Sequence, residues 1–519
     1  LTMKYCSKCS RKYADETLNF CLDDGEWLLT GFSSSDFPTR VLPAEDKAVQ
    51  EDLKTIVSSE SQSGSRANSI AVLPFAHWSS DPDNEYFCDG LAEDLINSLA
   101  RIDGLKVAAC GSAFSFKGKN VNVGEIGRAL GVETILEGSV RRAGSRLRVT
   151  VQLVNAPEGY QIWSKRYDRE MRDVFEMQDE ITDAVIAELR PKLLGGQGIE
   201  VPKRHAANTE AYHLYLRGRF FLNKFTTDNA NLSIEYFNQA IVSDPNFAPA
   251  YAGLADAHIM LTEMGPVPPH EAMPKAKAAA LRALSFDDSL AEAHSSLGMI
   301  LQDYEYNFVA AEREFRRAIE LSPNNPIPRQ SYGILLTELE RHDEAEIQFQ
   351  KALEVDPLSV VTNWIYSFCL FLARRYDESL KRAIATLELD PNFGVAYLSV
   401  AFAHQMKGEY ESSVDAYARC SEVMGFPLNA EYVRSSFSGG WESFLRAMTS
   451  KDRPMTFSSY IIAVFFATLG DKDGAFAELE ASLAKRESHI VMMKSDPRFD
   501  PLRDDPRFSE LLRKVGFPG

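Results

Sequence analysis

The sequence predicts several modules in series: a small cysteine-bearing head, a mixed α/β domain, and a long all-α array of repeats. Three observations carry this. Cys6, Cys9 and Cys21 crowd the first 21 residues of a 519-residue chain holding seven cysteines. Apolar and polar residues alternate with period two in RLRVTVQLV (146–154), as in a half-buried strand. Pro323, Pro357 and Pro391 recur every 34 residues within otherwise helical sequence.

The length exceeds what one hydrophobic core organises and implies roughly three or four domain-sized units. With 45% hydrophobic and 25% charged residues the composition is globular. A formal charge of −18 repels phosphate backbones and anionic surfaces, so nucleic acid is not the expected partner. Seven cysteines in so long a chain do not form a secreted disulfide framework. The apolar run IIAVFFATL (461–469) is about half the ~20 residues a bilayer span needs. A cytoplasmic protein without a membrane span is expected.

Residues 3–29 form the cysteine-bearing segment, and the Ser-, Asp- and Glu-rich residues 30–69 read as a flexible linker. From 70 the pattern changes. SIAVLPF reads as a buried strand, EYFCDGLAEDLINSLARI as a helix with Leu91, Leu95, Ile96 and Leu99 on one face, and LKVAAC as a second strand. VGEIGRALG reads as a short helix capped at Gly131. A hairpin follows whose inward set is Leu147, Val149, Val151 and Leu153, and VFEMQDEITDAVIAELRPKLL closes the α/β domain at 197.

From 208 to 489 the chain reads as about seven helical repeats, with 490–519 as a terminal cap. Ahead of each periodic proline runs a small–large–small pattern: Ala311, Phe315, Ala318; then Ala345, Phe349, Ala352; then, weakened, Ser379, Ala383, Thr386. Gly298 and Gly333 mark a close approach between paired helices. This pattern resembles the tetratricopeptide repeat and implies a superhelix whose first helices line a concave, partner-binding face. By that analogy Val361, Trp364, Phe368, Phe371 and Leu372 face inward, then Val395, Leu398, Phe402, Gln405 and Met406. In the repeat from Pro326 they are polar and include Gln330, Thr337 and Glu338. Trp364, Phe368, Phe371, Leu398 and Phe402 are the expected anchors of a protein or peptide partner. The competing expectation is that residues 424–441 of the same chain cover the strip.

Two further resemblances concern the amino-terminal half. SIAVLPF, SSDPDNEYFCDGLAEDLINSLARIDGLKVAA, SFKGK, IGRALGVETILEGSVRRAG, RVTVQLV and IWSKRYDR resemble, in that order, the TolB-like domain of bacterial signalling chains. That resemblance implies one domain over 70–197, in chains that also carry cyclases, winged-helix regulators or kinases. The head, CxxC followed by FCxxDG, resembles small zinc ribbons, which implies structural zinc held by Cys6, Cys9, Cys21 and Asp24. Equal two-residue gaps place Asp24 where a fourth thiolate belongs, and a carboxylate is a legitimate, harder zinc donor.

Signatures of catalysis are missing from the sequence: there is no Walker loop, H-E-x-x-H, G-x-S-x-G or kinase set. The glycines at 124, 127 and 131 are spaced for turns and caps, not for a dinucleotide. Arg141, Arg142, Arg146 and Arg148 cluster on one hairpin, with Lys117 and Lys119 upstream; a solvated or intramolecular role outweighs a nucleic-acid groove reader, since aromatic stacking partners are missing. A non-enzymatic interaction scaffold or adaptor in bacterial signalling is the expected function. A nucleic-acid-linked regulator, or an accessory to a separate cyclase or kinase, is the alternative.

Overall fold

A computed structural model describes residues 4–6, 12–13, 28–30, 68–77, 82–102, 104–119, 121–143, 146–170, 173–189, 208–224, 226–263 and 267–517. The chain divides into two compact units, residues 1–63 and 64–519. In the first, β1 (Lys4–Cys6) pairs antiparallel with both β2 (Lys12–Tyr13) and β3 (Leu28–Thr30). Cys6 ends β1 opposite Leu28. Cys9, Cys21 and Asp24 lie outside the described residues, as does nearly all of the expected linker.

The second unit begins with a six-stranded mixed sheet. β4 (Ser69–Val72) runs parallel to β6 (Lys106–Val107) and to β7 (Thr134–Ala143), and β5 (Ala76–His77) also joins β7. β7, β8 (Arg146–Asn155) and β9 (Gln161–Glu170) form an antiparallel meander, with a bulge at Leu153/Val154. Alternation sorts the faces: Leu147, Val149, Val151 and Leu153 are all buried, against Leu91, Leu95 and Leu99 of α1 (Pro82–Ala100) and Met177, Ile181 and Val185 of α4 (Val174–Leu189). On the opposite face Ala71 and Ile135 meet Ile126 and Leu130 of α3 (Val123–Leu130). Gly131 ends that helix at φ 63°, the left-handed cap that the missing Cβ permits. Five-residue α2 (Cys110–Phe114) was not legible in the sequence.

Seven antiparallel helix pairs follow: α5 (Thr209–Leu222) with α6 (Thr227–Ser243), α7 (Ala248–Glu263) with α8 (Pro269–Phe286), and α9 (Ala291–Asp303) with α10 (Phe308–Leu321). Next come α11 (Pro326–Glu338) with α12 (His342–Val355), α13 (Val360–Leu372) with α14 (Tyr376–Leu389), and α15 (Ala396–Met406) with α16 (Tyr410–Met424). Short α17 (Ala430–Ser436) and α18 (Trp441–Thr449) precede the seventh pair, α19 (Ser459–Leu469) with α20 (Lys472–Lys485). Within the pairs the expected glycine contact is made against an aromatic ring rather than a facing backbone. A Cβ on Gly298 would lie 2.6 Å from the Phe315 ring, and one on Gly333 2.8 Å from Phe349. Both rings are fully buried, so the vacancy at glycine is the socket for the ring.

Sheet and repeats share one core. Tyr212 and Leu216 of α5 are buried in the cluster that holds β8 and α1. A Cβ on Gly90 would fall 2.5 Å from Leu216, so that contact requires glycine. The seam is then sealed by polar groups capping orphan backbone atoms from a distance. Asn324, in the turn after α10, donates to the carbonyls of Ala100 at 3.1 Å and Leu105 at 2.8 Å. Asp356, in the turn after α12, accepts from the Ser112 amide at 2.9 Å and hydroxyl at 2.5 Å, so it serves the amino-terminal end of α2.

Candidate binding surface

The inner face of the array is built by the first helix of each pair. At α13 and α15 their inward positions are aromatic, and the rings form a continuous ladder. Phe371 and Phe402 lie 5.4 Å apart, Phe368 and Phe402 6.1 Å, and Phe402 meets Tyr417 at 6.1 Å. Trp364 sits edge-on to Phe393 at 5.8 Å.

This ladder is partly covered. Phe371 is fully buried, and Trp364, Phe368, Leu398 and Phe402 are half-buried. The carboxy-terminal segment, expected as a terminal cap, reaches the ladder through Arg498. Two 3-10 helices, Ser488–Met492 and Pro497–Leu502, precede α21 (Pro506–Val515). Ile490, Val491, Phe499, Leu502, Phe508 and Leu511 join the same core cluster as Leu335, Phe349 and Tyr460 of the repeats. The Arg498 guanidinium lies 4.3 Å from the Phe402 ring centre and 5.3 Å from that of Phe371, a cation–π seat. Residues 430–449 instead extend the array: Phe444 and Trp441 pack beside Val414 and Ala418, with Trp441 stacked on Tyr410 at 4.8 Å.

Arg498 is held flat by a fork to Asp496, Nε to Oδ1 at 2.9 Å and Nη2 to Oδ2 at 2.6 Å, while the Tyr460 hydroxyl donates to Asp496 at 2.9 Å. Both charges are at least nine-tenths buried, so neither is stable without the other. At the rim Arg374 meets Asp500 at 2.7 Å and Lys494 meets Glu340 at 3.6 Å. Sequence reasoning missed Asp496, Arg498 and Tyr460. The signal that could have found them is the repetition of Asp-Pro-Arg-Phe at 496–499 and 505–508.

Toward the earlier repeats the inner face is polar. Glu338 is fully buried, Gln302 donates to its Oε2 at 2.8 Å, and its Oε1 has no partner. Burial, reinforced by the neighbouring Asp303 charge and opposed by the Gln302 amide, holds this carboxyl well above the ordinary range. Gln330 accepts from the Thr362 hydroxyl at 2.9 Å.

The arginine hairpin shares its face with acids. Arg148 meets Asp168 at 2.8 Å, Arg166 approaches the same carboxylate at 3.5 Å, and Arg146 lies opposite Glu170 in the β8–β9 register. Lys117 is held by Glu85 and Asp89 at 2.7 and 2.6 Å. Burial pushes the thiols of Cys88, Cys369 and Cys420 up to about 12, which leaves them unreactive at neutral pH. Among the described residues no group of three or more His, Cys, Asp or Glu could hold a metal, and no helix is long and apolar enough to cross a membrane.

The chain is 36% identical over 238 residues to a putative adenylate cyclase 3 of Rhizobium meliloti, a match covering 45% of this chain and 40% of that protein. It is 28% identical over 120 residues to the transcriptional regulator HilA of Salmonella typhimurium, covering 23% of this chain and 22% of the regulator. The chain thus spans well under half of each relative. Among solved structures it is similar to YrrB, described as a TPR protein with an unusual peptide-binding site, at 21% identity, TM-score 0.27, covering 38% of this chain and 97% of YrrB. It is also similar to PilW, a type IV pilus biogenesis factor, at 14% identity, TM-score 0.36, covering 44% of this chain and 100% of PilW. The tetratricopeptide repeat family model matches residues 330–357, the stretch from mid-α11 through α12. Those residues match one tetratricopeptide repeat, and they lie within an array of helix pairs that share its helix–turn–helix form.

Proposed function

We propose that the chain is a protein–protein interaction scaffold in bacterial signalling, acting in the cytoplasm, in which the α/β domain and the repeats present one rigid surface to a protein partner. The observation that carries this is the repeat array itself, with its tetratricopeptide match at 330–357. The α/β domain is fixed on three separate repeats, by Arg219–Glu93 at 2.6 Å, by Asn324 and by Asp356, so a partner bound to either part is held in register with the other. Its blocks resemble the TolB-like domain. The test is affinity capture by the immobilised full chain, followed by reconstitution with the purified partner. A stoichiometric complex supports the scaffold; no partner retained from the source cytoplasm at any salt concentration removes it.

The likeness to a protein named an adenylate cyclase favours a second reading, accessory to a separate cyclase. The full chain incubated with ATP and a divalent cation is expected to yield no cyclic nucleotide; production of one overturns the non-enzymatic reading. Three thiolates and one carboxylate are a chemically sound zinc donor set, and we assign structural zinc to Cys6, Cys9, Cys21 and Asp24 on spacing and donor chemistry. One zinc per purified chain, lost in Cys6→Ser, is the expected metal analysis.

A further inference from the structure

The carboxy-terminal strip has the anatomy of a bound peptide. The Glu487 amide donates to the Ser482 carbonyl of α20 at 3.1 Å, and beyond it the backbone hydrogen bonds of residues 488–517 stay within the strip, for example Asp496 N to Met492 O at 2.9 Å and Phe499 N to Asp496 O at 3.2 Å; among the described residues none of these crosses to a repeat helix. What crosses is side chain: Arg498 on Phe402 and Phe371, the Tyr460 hydroxyl on Asp496, Phe499 edge-on to Tyr460 at 5.4 Å, and the exposed Arg374–Asp500 pair. The strip leaves α20 through Arg486 at φ 54°, a single left-handed residue that turns the chain back over the inner face.

Its central motif takes the same local form in both of its copies in the chain. Asp505 accepts from the Arg507 amide at 3.0 Å as Asp496 does from Arg498, the arginine forks back on its aspartate, and the Arg507 guanidinium lies 4.2 Å from the Phe476 ring. Asp-Pro-Arg-Phe is therefore a preformed element that offers a flat, half-neutralised guanidinium to an aromatic seat, and preformation lowers the entropy cost of docking. Burying an ion pair contributes little net stability compared with an apolar filler but strictly selects what fits, as a recognition slot requires.

We propose that residues 488–504 occupy the inner face of repeats five to seven as a ligand in cis, and that this face takes in trans a peptide of the same chemistry: Asp-Pro-Arg followed by an aromatic residue. This rests on the scaffold reading and names its partner class. A resident cis ligand makes the site self-inhibited, and binding in trans requires the strip to leave.

The test uses the full chain and a fluorescent peptide copying residues 488–504, followed by anisotropy. Arg498→Ala in the chain weakens the cis ligand, so this variant is expected to bind the peptide at least tenfold more tightly than the unaltered chain. A peptide carrying Arg498→Ala is expected to lose that binding. A variant that keeps its helical circular dichroism yet binds no peptide, or binds both peptides equally, overturns the proposal. Should the variant lose its helical signal, hydrogen exchange on the unaltered chain decides: amides of 488–502 exchanging at least tenfold faster than those of 360–372 support a ligand, and equal protection makes the strip permanent core. A chain that captures its partner stoichiometrically while failing the peptide test keeps the scaffold and loses only this site.

Discussion

Two adjacent helix pairs, α11–α12 and α13–α14, have the same length and period but fill their interiors in opposite ways. In the first, Gly333 leaves a socket and Phe349 of the second helix fills it. One period on, Ser367 and Ala383 stand at those positions, and the Ser367 hydroxyl donates to the Ser379 carbonyl at 3.0 Å. The bulk has moved to the inner face, to Phe368 and Phe371, where a ring needs a cover from outside the pair. A repeat that packs its aromatic between its own helices is complete; one that packs it inward depends on the strip.

The harshest way to break this contrast is Phe349→Ala. It empties the socket between α11 and α12 and should cost about 3–5 kcal/mol, read as a lowered urea midpoint. Arg498→Ala comes next. It strands the Asp496 charge at a fully buried site, and breaking such a pair costs roughly 3–5 kcal/mol, with relief from Tyr460 placing it at the lower end. The double change Asp496→Asn with Arg498→Met should recover part of that loss. A loss unaffected by the second substitution would mean that the guanidinium–ring contact, rather than the ion pair, carries the seat. Phe402→Ala, on a partly covered face, should lower stability in the same assay rather than leave it intact.

The contrast can be sharpened by transplanting one solution into the other pair. Ala383→Phe alone overpacks α13–α14 and should cost about 1–3 kcal/mol. Adding Ser367→Gly opens a socket and should return part of that cost, less roughly 1 kcal/mol for the lost hydroxyl bond. Strict additivity in this double-mutant cycle would show that the two positions do not face each other.

Local physics made much of the fold legible. The inward set of β8 follows from period two, the α3 cap follows from Gly131, and the repeat period follows from prolines that end helices. What was not legible depends on partners far along the chain. α2 has five residues and no side-chain cap of its own; Asp356, 244 residues away, supplies the acceptor its amide end needs. The aromatic strip lies on the first helices α13 and α15, yet Arg498, about a hundred residues on, covers part of it, and the periodicity of those helices carries no information about so distant a segment. Asp-Pro-Arg-Phe was visible twice, but its meaning lies in the rings that receive it.

The smallest effect concerns the polar end of the same face. Glu338, Leu372 and Met406 occupy one position in three successive repeats, so a buried carboxyl stands where its neighbours are apolar. Burial and the neighbouring Asp303 hold its carboxyl well above the ordinary carboxylate range in the folded chain. The folded chain then keeps a proton that the unfolded chain releases, so stability is greatest below about 4.5 and falls as pH rises toward the folded value, by roughly 1.4 kcal/mol per pH unit. Glu338→Gln carries its hydrogens at every pH and should flatten that decline, with the variant overtaking the unaltered chain in urea midpoint as pH increases. Curves that stay parallel from pH 4 to 8 would place a charged carboxylate in the folded state, and a cation facing Oε1 would then have to be sought.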